Sequence, residues 1–130
     1  MLARALFLAR LSGLFMIITA LALLVGRYTI VPAMNALMHD HAALLVVAMV
    51  GLCAGLAMVL CHNIWSGGLL PVLVTLIGWS LLLRSALLLF LSPNSTIALY
   101  EAVRVEALYP LYAVISLLIG GYLTYAGFQR

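Results

Sequence analysis

The 130 residues are 68% hydrophobic and 7% charged, with a mean hydropathy of +1.31, where a soluble domain carries roughly 25% charged residues. So few charges cannot cover so much apolar surface in water, which excludes a soluble globular fold and makes lipid the expected solvent. The net charge of +3 comes from arginines scattered along the chain, with no lysine and no basic patch, so nucleic acid is not an expected partner.

Crossing about 30 Å of hydrocarbon takes about 20 apolar residues as helix, the one form that satisfies its own backbone hydrogen bonds there. The first such stretch is Ala5–Val25, broken only by Arg10. It is long for the apolar part of a signal peptide and no Ala-x-Ala site closes it, so it reads as a retained helix. The link Arg27–His41 contains Pro32 to Met38, suited to a short helix with proline in its first turn. It ends in His39-Asp40-His41, which either binds a metal weakly or starts the next helix with Asp40 at the positive end of the dipole. The second reading is preferred, because two nitrogens and one carboxylate make a poor ligand set.

The second stretch, Ala42–Cys61, has no charge and carries Gly51 and Gly55 in a GxxxG spacing. Cys53 and Cys61 lie about 12 Å apart along such a helix, too far for a disulfide, and read as small packing residues. A tight turn follows over His62–Gly68, with glycines for backbone freedom and Trp65 at headgroup depth. His62 and Asn63 are expected to cap carbonyls ending the second helix.

The third stretch, Leu69–Leu91, has one charge, Arg84, and a narrow face of Pro71, Thr75, Gly78 and Ser85. Trp79 stands beside that face and needs a partner for its N–H, from Ser80, Thr75 or a bound ligand. His62, Asn63, Trp65, Pro71, Val72, Val74, Thr75, Gly78 and Trp79 form the pattern HNxW followed by PVLVTLIGW. It resembles a group of small, uncharacterised bacterial four-helix inner-membrane proteins. The likeness covers the middle third of the chain; it implies a bacterial inner-membrane protein and carries no activity.

The link Ser92–Leu108 opens with Pro93-Asn94-Ser95 and puts Ile97, Tyr100, Val103 and Ala107 on one helical face. Both long links read as amphipathic helices lying in the membrane interface. The fourth stretch, Tyr109–Phe128, repeats the small-xxx-small spacing at Ser116, Gly120 and Thr124. The small residues serve close contacts within one chain or between chains, and intrachain use is favoured.

The expected fold is therefore an all-α membrane protein, one domain over residues 1–130 with four transmembrane helices. Shifting the sequence by 65 residues lays Gly13 on Gly78, Ala20 on Ser85 and Gly55 on Gly120. Two parallel repeats, 1–65 and 66–130, each helix, interfacial helix, helix, would give that match, as would chance between leucine-rich helices. Arg4, Arg10 and Arg130 on the terminal side favour cytoplasmic termini and long links outside, by a small margin.

Arg84 is the foremost candidate for chemistry. A cation at membrane depth costs about 2.5–3.5 kcal/mol on insertion scales. Either it snorkels toward the interface near Glu101 and Glu106, or it binds an anion or lipid phosphate inside the bundle. Trp79, Thr75 and Ser80 are grouped with it as ligand or lipid contacts. No set of acids, nucleophile or metal ligands adequate for catalysis stands out, so neither enzyme nor cofactor is expected. Small multidrug transporters are similar in length but use a glutamate within the membrane, and no span here holds an acid. The leading expectation is a non-enzymatic accessory or scaffold subunit, with lipid and other membrane proteins or a second copy as partners. The alternative is a small oligomeric transporter or channel using Arg84.

Overall fold

The structure, a computed structural model, describes residues 2–129; the side chains of residues 2, 105 and 106 lie outside the described ones. Six helices and no strand occur among the described residues: α1 Leu2–Val25, α2 Arg27–His39, α3 His41–Cys61, α4 Leu69–Phe90, α5 Pro93–Val103 and α6 Val105–Gln129. Four of them, α1, α3, α4 and α6, are long and apolar enough to cross a membrane. The expected four-span, all-α fold is present, and the architecture is that of a multi-pass membrane protein.

Breaks between helices are shorter than the sequence suggests. Gly26 alone separates α1 from α2, and Arg104 alone separates α5 from α6. Arg104 makes that corner in the left-handed region, φ 54° and ψ 48°, as the cap of α5. Helix α6 therefore starts ahead of Tyr109 and runs through Pro110, where proline in the second turn drops only an early backbone bond. Helix starts carry their own signals. Asp40 Oδ1 accepts from the backbone N–H of Ala42 at 3.1 Å and of Ala43 at 3.2 Å, opening α3. Ser92 Oγ accepts from Ser95 N–H at 3.3 Å, with Pro93 in the first turn of α5.

Helix α1 packs along α6, and α3 along α4; α1 also touches α4, and α2 touches α5. Between helices in lipid there is no hydrophobic drive, so close approach of backbones holds the pairs together. A Cβ placed on Gly13 would stand 2.9 Å from the Gly120 carbonyl oxygen and 2.8 Å from Thr124 N. On the other pair, a Cβ on Gly55 would stand 2.7 Å from Leu82 N, and one on Gly78 would meet Met58 Cβ at 3.0 Å. Gly51 faces Ser85. The two crossings share one register: Gly13 against Thr124 corresponds, 65 residues on or back, to Gly78 against Val59, and Gly120 against Ile17 to Gly55 against Leu82.

The buried core of Ala9, Leu70, Val74 and Leu123, with Met58 packed against it, sits where α1 and α4 begin and α3 and α6 end. Outward flanks carry exposed Phe7, Phe15, Leu60, Phe90 and Leu118, an apolar exterior that suits lipid rather than water.

Candidate functional site

At the opposite end from the core the helices part. A cavity of about 460 Å³ opens there, bordered by Leu23 of α1, Met34 and Met38 of α2, Arg84 and Leu88 of α4, and Tyr109 and Tyr112 of α6. Helix α5 lines one side of it with Thr96, Leu99, Tyr100 and Val103. This volume falls within the roughly 300–1,000 Å³ typical of small-molecule sites. The lining is mostly apolar with few polar groups, and Arg84 is its single charged side chain. Leu23 and Leu88, Met34 and Leu99, and Met38 and Val103 each stand 65 residues apart, so the cavity straddles the seam between the chain's two halves.

Local structure fixes this lining. The two small-residue crossings anchor α1 and α4. Tyr112 donates its hydroxyl to the Val103 carbonyl at 3.3 Å, tying α6 to the end of α5. The Arg27 guanidinium lies 4.8 Å from the Tyr28 ring centroid and 5.8 Å from that of Tyr109, within cation–π range. A second, more polar pocket of about 300 Å³ adjoins the first through Tyr100 and is lined by Asn35, His39, Glu101 and Arg104. Glu101 thus borders the neighbouring pocket rather than Arg84's. The side chain of Glu106, the other acid expected near Arg84, lies outside the described residues. No ion pair to Arg84 occurs among the described residues.

Trp79, Thr75 and Ser80 do not join Arg84. Ser80 donates to the Leu76 carbonyl of its own helix at 2.7 Å. Thr75 is fully buried at the other end of α4. Its Oγ1 accepts from Ile64 N–H at 3.1 Å and lies 2.9 Å from both the Ile64 and the Pro71 carbonyl oxygens, one of which takes its proton. Trp79 leans toward the start of α4, as helical side chains do, and donates Nε1–H to Asn63 Oδ1 at 3.3 Å. Trp65 donates to the same oxygen at 2.8 Å. The partner of Trp79 is thus Asn63 rather than Ser80 or Thr75.

His62, Asn63 and Trp65 form a clasp between the turn and α4. His62 ends α3 through its backbone N–H, which donates to the Met58 carbonyl at 2.8 Å. Its buried ring points the other way, donating Nε2–H to the Pro71 carbonyl at 3.2 Å. Side-chain capping of α3 by His62 and Asn63, as the sequence suggests, is therefore replaced by docking onto α4. Gly67 at φ 92° and Gly68 at φ 118° supply the backbone turn that any side chain would strain. Across the bundle Arg10 Nε–H donates to the Gly127 carbonyl at 2.7 Å and its guanidinium covers the Phe128 ring at 4.8 Å.

The remaining candidates are local. Asp40 caps α3, and His39 Nδ1–H donates to the Asn35 carbonyl at 2.9 Å, closing α2. Cys53 and Cys61 are free and exposed. Ser116 is half-buried on α6 one turn before Gly120. Sequence reasoning missed Met34, Met38, Tyr109 and Tyr112 as site residues; Arg84 and the face of Tyr100 and Val103 on the second link were the signals of this cavity. Comparison with family models, with curated proteins and with solved structures found no match to this chain.

Proposed function

We propose that the chain is a non-enzymatic accessory protein of a membrane, and that its working part is the seam cavity, which holds the apolar portion of an amphipathic molecule. The carrying observation is the cavity's place and lining: an open apolar cavity at the end of four helices long and apolar enough to span a membrane, bordered by a short helix and edged by one arginine. Apolar walls with a few placed polar groups are what such ligands require. The bacterial inner membrane, with cytoplasmic termini, is the setting that the arginines and the motif around His62–Trp79 favour.

Native mass spectrometry of the full chain, purified in mild detergent, tests the reading. The wild type is expected to retain one amphiphile, and Leu99→Trp, which fills the chamber from α5, is expected to lose it while unfolding at an unchanged temperature. Equal retention by both proteins overturns it. The accessory role is supported by native particles larger than the chain and its detergent. A second reading, a passive anion carrier, is favoured by the cavity's position between halves in one register, where carriers hold their solutes. Anion flux into vesicles that Arg84→Gln abolishes would support that reading over the first.

A further inference from the structure

We propose that the seam cavity selects an anionic phospholipid of the surrounding membrane, with Arg84 as the residue that reads the headgroup phosphate. The inference rests on the reading of the cavity as an amphiphile site and adds the chemistry of the head. Arg84 borders the chamber one turn before Leu88, six residues from the end of α4, so about 9 Å of helix separates it from the end of that span. Of the acids whose side chains are described, Asp40 caps α3, and Glu101 borders the adjoining pocket beside Arg104.

Among the described side chains, the charge around the mouth has one sign in excess. Arg27 lies against Tyr109, itself part of the lining, while Arg104 and Glu101 share the adjoining polar pocket and offset each other. Arg84 and Arg27 thus stand at a cavity whose apolar walls suit an acyl chain, and anionic lipid complements both features. Arginine binds phosphate through a planar, bidentate fork, which a zwitterionic headgroup with its own ammonium partly satisfies internally. Tyr112 is not part of this recognition, since its hydroxyl is given to Val103.

The test is lipid competition in nanodiscs of phosphatidylethanolamine with one fifth phosphatidylglycerol, followed by delipidation and quantification of the lipid left on the full chain. Wild type is expected to retain phosphatidylglycerol and phosphatidylethanolamine at a ratio about tenfold above that of the disc, the scale of one charge-assisted contact. Arg84→Gln is expected to retain lipid at about the bulk ratio, and Arg84→Lys to recover part of the enrichment. Lipid held by both wild type and Arg84→Gln at one common ratio overturns the headgroup assignment and leaves the amphiphile site standing. No lipid held by either protein overturns both.

Discussion

Gly120 and Gly121 are neighbours on α6 with opposite surroundings, and alanine at each separates packing from propensity. A Cβ on Gly120 would lie 2.9 Å from the Gly13 carbonyl oxygen, 3.0 Å from Met16 Cβ and 3.1 Å from Ile17 Cγ1. Comfortable carbon contacts begin at about 3.5 Å, so α1 and α6 must part by roughly half an ångström or more along a buried seam. Overpacking of this kind costs about 1–3 kcal/mol. A Cβ on Gly121 meets nothing within 4 Å, and alanine there relieves the glycine penalty of about 0.5–1 kcal/mol in a helix. Equilibrium unfolding in bicelles, by steric trapping or added SDS, should show Gly120→Ala destabilised by at least about 1 kcal/mol. Gly121→Ala should be as stable as the wild type or more so. Equal losses for the two variants, or no loss at position 120, would refute the close α1–α6 crossing.

Three further outcomes are expected. Thr75→Val keeps the side-chain volume but strands the Ile64 N–H, and should cost about 1–3 kcal/mol in the same assay, with Thr75→Ser near the wild type. Asn63→Leu frees both indoles that donate to Asn63 Oδ1, and these are the only tryptophans in the chain. Its intrinsic emission should shift and become easier to quench with acrylamide, whereas an unchanged spectrum removes the clasp from consideration. A reporter fused after Gln129 should be active only on the cytoplasmic side, and activity outside reverses the orientation taken from Arg4 and Arg10.

The spans were legible because lipid leaves a chain with no alternative to helix, and residues such as the uncharged run over Ala42–Cys61 are sized for it. Where the helices end was less legible: Gly26 and Arg104 each turn the chain in one residue, and a left-handed arginine has no sequence signature. Gly51 and Gly55 marked a close-packing face, but their partner was hidden, because any small-residue face accepts any other. Only the structure sets Gly55 on Leu82 and Gly13 on Gly120. Trp79 illustrates the same limit at the site. Its need for an acceptor was readable from depth alone, while the supplier, Asn63, sits across a turn whose path depends on Gly67 and Gly68. The cavity was half visible, since Arg84 and Tyr100 stood out by charge and by helical face, whereas Met34, Tyr109 and Tyr112 look like ordinary membrane residues until α1, α2, α5 and α6 converge.

The pairing of α1 with α6 has a consequence for biogenesis. Helix α1 enters the bilayer early, but its mate follows every other element of the bundle. Until the 25 residues of α6 are threaded, the notch at Gly13 is without its partner. Insertion and maturation are thereby uncoupled, and a nascent chain halted at the His62–Gly68 turn would leave α1 and α3 side by side in the bilayer with neither of their proper mates.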